Sequence, residues 1–240
     1  LLRGGTLLEL QAIRDSEGTR VPVLRIDNEA IDLTGDARIT SEQGEARIDL
    51  TVDNLGRIDP ELAGPATVSF EAVNPGEAWQ IDLTASGARA DVTAAVTVSD
   101  LEADSPLAEG TAEIIARDLS QFTPFVGRDL GGSVDLALDG RARLDTSLVE
   151  AEISGQTRDV TIDQPEADRL LRGVTEIALR LSKLQSQIDL PELLVSNPQI
   201  TLEGSAGIAP QNSTVDVRID MPNLSEVVPS MSGPASVVLD

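Results

Sequence analysis

Residues 1–71 of this chain return, without a gap, as residues 170–240. At that offset of 169 positions about 21 residues are identical, among them Gly4/Gly173, Thr6/Thr175, Pro22/Pro191, Asn28/Asn197, Ile31/Ile200, Gly35/Gly204 and Ile39/Ile208. Self-similarity at a fixed period marks repeat architectures, in which each unit buries apolar surface only against its neighbours. The best-kept stretch is N-L-S-E-V-V-P-S-M-S-G-P-A-S-V-V-L (223–239), whose twin is N-L-G-R-I-D-P-E-L-A-G-P-A-T-V-S-F (54–70). A looser third copy, D-L-S-Q-F-T-P-F-V, opens at Asp118 and rejoins at Gly132 and Val134.

Each copy predicts a short capped helical turn. Asn54, Asp118 and Asn223 suit an N-cap, and Gln121 and Glu226 stand three places after the second and third, the capping-box spacing. Pro60, Pro124 and Pro229 are expected to stop the turn, and the glycine after each frees the backbone to start a strand.

Between the turns, apolar residues recur at every second position, the period of a strand with one oily face. Four antiparallel strands are expected between Gly4 and Asn54, and four more between Val68 and Ala116. A shorter block holds three: Val134 to Leu138, Val149 to Ile153, and Val160 with Ile162. A two-turn helix follows in D-Q-P-E-A-D-R-L-L-R-G (163–173), capped by Asp163 and ended at Gly173, and the four-strand block then repeats. The blocks are about 4–63, 64–131, 132–172 and 173–232, read as one continuous repeat-built segment, 1–240, of a longer protein.

Composition narrows the function classes. Aromatic residues make up 2% of the chain, so its apolar surface is an aliphatic carpet of Val, Ile, Leu and Ala. That suits a thin repetitive sheet better than a globule, whose core draws much of its buried area from aromatic rings. A net charge of −23 excludes a nucleic-acid partner, whose phosphates demand Lys and Arg; the chain's one lysine is Lys183. Without His or Cys there is no imidazole base, no thiolate and no zinc set. The run Asp100, Glu102, Asp104 lacks the glycine and glutamate that complete a calcium loop, and Trp79 reads as a filler of a sheet end. No catalytic residue, metal site or cofactor is expected, and the chain is not read as an enzyme.

The alternation of strand blocks with D-L-S-Q-F-T-P-F-V-G-R-D-L-G-G-S-V-D-L (118–136), D-Q-P-E-A-D-R-L-L-R-G (163–173) and S-N-P-Q-I-T-L-E-G (196–204) resembles the repeat region of TamB-type subunits of the translocation and assembly module, in the wider AsmA-like group. The resemblance covers essentially the whole chain. It implies an all-β fold: an antiparallel sheet curled like a taco shell around an apolar groove, with short capped turns between strand blocks. It further implies a periplasmic protein of a Gram-negative bacterium, anchored in the inner membrane through a segment outside this stretch. Phospholipid transport between the two membranes is the implied role, the acyl chains being the ligand. The alternative is a scaffold for assembling outer-membrane proteins and autotransporters, with a BamA-family partner met by parts outside this stretch; a weaker alternative is a structural surface solenoid.

One-faced strands must bury that face, by closing into a barrel, stacking on another sheet, or leaving it to a ligand. Repetition with open ends favours the ligand. The lipid-facing set is expected to include Ile48, Leu50, Val92, Val96, Ile114, Leu136, Ile200, Leu202, Val217 and Ile219, the middle members of the cleanest alternations.

Overall fold

A computed structural model describes residues 5–57, 64–226 and 230–239, apart from the side chains of Pro124 and Glu226. Alternation becomes strand throughout. The strands are β1 (Thr6–Arg14), β2 (Thr19–Asn28), β3 (Ile31–Ile39), β4 (Gly44–Val52), β5 (Ala66–Asn74), β6 (Trp79–Gly87), β7 (Ala90–Ser99), β8 (Leu107–Ala116), β9 (Gly131–Arg143), β10 (Leu148–Thr161), β11 (Val174–Leu184), β12 (Gln187–Ser196), β13 (Thr201–Ala209), β14 (Asn212–Met221) and β15 (Ala235–Leu239). They follow one another in sequence order in one sheet, antiparallel at every recorded register; among the described residues β1 and β15 each have a single neighbour, and the sheet does not close into a barrel. Two compact units divide the chain, residues 1–112 and 113–240, the division falling inside β8.

The repeat is carried by matching elements. β1 to β5 of the first unit correspond to β11 to β15 of the second, each shifted by 169 residues to within one position at the starts. Even the irregularities recur: the β2–β3 register slips between Val21 and Leu24, and the β12–β13 register slips between Leu190 and Leu193. Pro22 and Pro191 lie inside these slips, where a residue with no amide to donate does least damage to the ladder.

All three motif copies fold into a 3-10 turn, and the cap works over a shorter span than the capping box. Asn54 Oδ1 accepts from the Gly56 amide at 2.9 Å, Asp118 Oδ1 from Ser120 at 3.0 Å, and Asn223 Oδ1 from Ser225 at 3.2 Å. A side chain reaching two residues ahead satisfies an Asx turn and leaves the third position without its role. Gln121 does not reach back accordingly; its Nε2 is buried without a hydrogen-bond partner. Nor does Pro124 stop the turn, since it sits in the first turn of a short helix, α1 (Thr123–Val126), where a missing amide costs nothing, and Gly127 ends it in the left-handed region at φ 71°. Pro60, Pro229, the opening L-L-R-G and the side chain of Glu226 lie outside the described residues.

The block after Gly132 holds two long strands in place of three. β10 runs on to Thr161, taking in Val160, while Ile162 lies just past its end, because a register shift between Arg158 and Thr161 absorbs the irregularity without ending the strand. The helix that follows, α2 (Pro165–Leu170), starts after Gln164 and closes at Leu171, so Asp163 is not its cap and Gly173 not its end. Those residues instead turn the chain: Asp163 has φ 60°. Asp159 closes the excursion by accepting from the Gly173 amide at 2.8 Å and donating its own amide to the Gly173 carbonyl at 2.9 Å.

Candidate functional site

Residues directly opposite one another in an antiparallel pair share a face, so the registers assign the side chains of the strands they connect. In the first unit one row runs Leu8, Ile26, Leu33, Leu50, Val68, Ala85, Val92, and the next runs Leu10, Leu24, Gly35, Ile48, Phe70, Leu83, Ala94. A third joins Val21, Ala37, Ala46, Ala72, Ile81 and Val96. No row contains a charged or hydrogen-bonding side chain. The opposite face is polar: Arg25, Thr34, Asp49, Ser69, Thr84 and Thr93 form one row there.

The second unit repeats the division. Leu136, Gly155, Ile177, Val195, Leu202, Ile219 and Val237 form one apolar row, and Leu138, Ile153, Leu179, Leu193, Gly204, Val217 and Leu239 the next. Its polar face carries ion pairs, Arg141 to Glu150 at 2.7 Å, Arg180 to Glu152 at 3.1 Å and Arg218 to Asp220 at 2.6 Å. The hydrogen bond from Arg141 holds the Glu150 carboxyl below its ordinary range, and Asp220 is lowered by Arg218 first and Ser236 second. These groups are solvent-exposed, as charges on the water-facing side of a one-sided sheet are.

Ile48, Leu50, Val92 and Val96 therefore share the apolar face of the first unit, and Leu136, Leu202, Val217 and Ile219 that of the second. Ile200 stands one residue before β13, half-buried, where its backbone amide donates to Asn197 Oδ1 at 3.0 Å, so it belongs to a turn and not to the wall's middle. Ile114 lies on β8 and is 39% exposed.

This apolar surface is only partly covered: most of the row residues are half-buried. Among the described residues the buried hydrophobic side chains are Ala30, Val52, Ala72 and Ala116, while Leu8 and Leu10 on β1 are 67% and 61% exposed and Ile208 near the end of β13 51%. Seven strands at about 4.8 Å spacing, with rows about 7 Å apart, give the first unit an apolar face on the order of 600 Å². A continuous apolar face of that extent, even partly covered, is the kind of surface at which sites of interaction lie.

Polar clamps close one end of each face, a feature the identities Thr6/Thr175 and Asn28/Asn197 signalled and the alternation did not. Asn28 Nδ2 donates to Thr6 Oγ1 at 2.9 Å, and Asn197 Nδ2 donates to Thr175 Oγ1 at 2.8 Å and to the Leu170 carbonyl at 2.7 Å. Asn28 is 8% exposed and Thr175 0%. Removing an amide that satisfies buried acceptors costs about 1–3 kcal/mol, so Asn197→Ala is expected to lower the urea midpoint by that equivalent, against no measurable change for Asn212→Ala on an exposed strand end. At the opposite end of the first unit Trp79 is half-buried over Gly44; a Cβ on Gly44 would stand 2.3 Å from the Trp79 ring, so the glycine makes room for the indole. The turns around it, including Asp100 and Glu102, enclose a recess of about 880 Å³.

Comparison with family models, curated proteins and solved structures returned no match. Among the described residues, no group of three or more Asp, Glu, His or Cys is placed to hold a metal ion, and no helix is long and apolar enough to cross a membrane.

Proposed function

We propose that the apolar face of each unit binds phospholipid acyl chains, as a periplasmic segment of a TamB-like protein in lipid transport between the inner and outer membranes. The observation that carries this reading is the set of continuous apolar rows in each unit, almost wholly aliphatic, only partly covered and backed by a wholly different polar face. An acyl chain asks for what such rows supply: continuous methylene-compatible surface with no particular polar partner. At about 0.8 kcal/mol per buried methylene, a sixteen-carbon chain gains on the order of 12 kcal/mol before the costs of ordering it. A protein or peptide ligand would bring amides that these rows cannot satisfy.

Mass spectrometry of the protein purified from cells without detergent tests this. Co-purifying phospholipid, displaced by a spin-labelled fatty acid whose probe becomes immobilised, is the expected result. Purification free of lipid, with no immobilisation of added acyl chains, would remove the lipid reading.

A further inference from the structure

The apolar face of the first unit runs on into the recess beside Trp79. Ile39, Gly44 and Asn74 are register partners two residues beyond Ala37, Ala46 and Ala72, and Trp79 pairs with Val98 two residues beyond Ile81 and Val96, so all five continue that face by one row. Trp79 is the chain's one tryptophan, and it stands on Gly44, a buried glycine whose missing Cβ makes room for the ring. The turns after β3, β5 and β7 enclose about 880 Å³ around it, a volume within the roughly 300–1,000 Å³ of small-molecule sites.

The charge of this recess is one-sided. Glu42 comes from the first of the three turns, Glu77 from the second, and Asp100 and Glu102 from the third, while among the described residues no lysine or arginine lines it. Spread over three turns, these carboxylates are not placed to hold a metal ion. An indole wall with carboxylates at its rim instead suits an organic ammonium, whose charge is drawn to the ring face and to the rim without a fixed coordination geometry. The second copy of the repeat differs at both parts: residues 39–44, I-T-S-E-Q-G, return as 208–213, I-A-P-Q-N-S, with Gln211 for Glu42 and Ser213 for Gly44. The apolar rows recur in both copies, whereas the glycine seat and the carboxylate of this turn occur only in the first.

We infer that the recess receives the ammonium headgroup of a zwitterionic phospholipid whose acyl chains lie on the adjoining rows. The inference rests on the acyl-chain reading and adds a headgroup preference to it. In such a lipid the ammonium is the outermost group, past the phosphate, so it reaches the indole while the phosphate stays in water, clear of the carboxylates. A phospholipid ending in glycerol brings negative charge and no cation to the same rim, which opposes its entry.

With no tyrosine in the chain, Trp79 emission reports the recess directly. The protein is titrated below micelle concentrations with dihexanoylphosphatidylethanolamine, dihexanoylphosphatidylglycerol and free ethanolamine, reading Trp79 fluorescence for the recess and calorimetry for total binding. The ethanolamine lipid is expected to shift Trp79 emission and to bind at least about tenfold tighter than either the glycerol lipid or free ethanolamine. In the triple variant Glu42→Gln, Glu77→Gln, Glu102→Gln the preference between the lipids should fall to about twofold. The variant Asp32→Asn, Asp36→Asn, Asp82→Asn removes the same charge from the polar face and should keep it. Circular dichroism verifies the fold of both variants. Equal binding of the two lipids, equal loss in the two variants, or unchanged Trp79 emission on lipid binding would each overturn the inference and leave the acyl-chain reading standing. Free ethanolamine binding as tightly as its lipid would overturn it in favour of a site for free amines, and no binding of either lipid would remove both readings.

Discussion

Val217→Arg is expected to leave the second unit folded and to weaken its acyl-chain binding roughly a hundredfold. Val217 is half-buried in the row Leu193, Gly204, Val217, Leu239, with Gly204 directly opposite. With no ligand present, an arginine there extends from a partly covered face and keeps its guanidinium hydrated while its stem lies along the apolar row. An acyl chain laid over the same row strips that water. A charge left unpaired in hydrocarbon costs about 3 kcal/mol, which is a factor of about a hundred in affinity. Leu202→Glu, one row along, should behave the same way, whereas Glu203→Arg on the polar face should leave binding unchanged. Thermal melting and spin-label immobilisation on the same samples separate the outcomes. Global unfolding of Val217→Arg would mean that the face is sealed in a core, and undiminished binding would take Val217 off the acyl path.

Gly155→Ala is expected to be among the most damaging single-methyl changes at the described glycines, costing about 3–5 kcal/mol. Gly155 sits on β10 at φ 153°, between Leu136 on one side and Ile177 on the other. A Cβ there would stand 2.1 Å from the Asp135 carbonyl oxygen and 2.9 Å from Leu136 Cα. Both obstacles are backbone, so relief requires the β9–β10 pairing itself to shift, adding a clash to the strain of a backbone conformation that side chains avoid. Gly173→Ala is the matched control: its φ is 84°, and nothing stands within 4 Å of the added methyl. That change should cost only the left-handed penalty of about 1–2 kcal/mol, and Gly173→Asn less. Urea unfolding read alongside hydrogen exchange in β9 and β10 tests the pair; equal losses at the two glycines would show that the close approach at Gly155 relaxes without disturbing the ladder.

The strand assignments and faces of this protein follow from its sequence because they depend on neighbours two residues apart. Ala46, Ile48, Leu50 and Val52 alternate with Glu45, Arg47, Asp49 and Thr51, and once extended they fall on opposite faces with no help from distant parts of the chain. The five-strand correspondence at 169 residues was equally legible, since like segments repeat like turns. Local hydrogen-bond competition decided what was not. Asp118 reaches the second amide ahead, which leaves Gln121 without its reciprocal role, and Asp159 binds Gly173, which lets β10 run past Val160 where the pattern suggested a fresh strand. Only the tertiary structure could decide how far the apolar rows are covered. Alternation tells which side of a strand avoids water, but what covers that side depends on elements far away in sequence, and here the described residues leave most of its side chains half-buried and few enclosed.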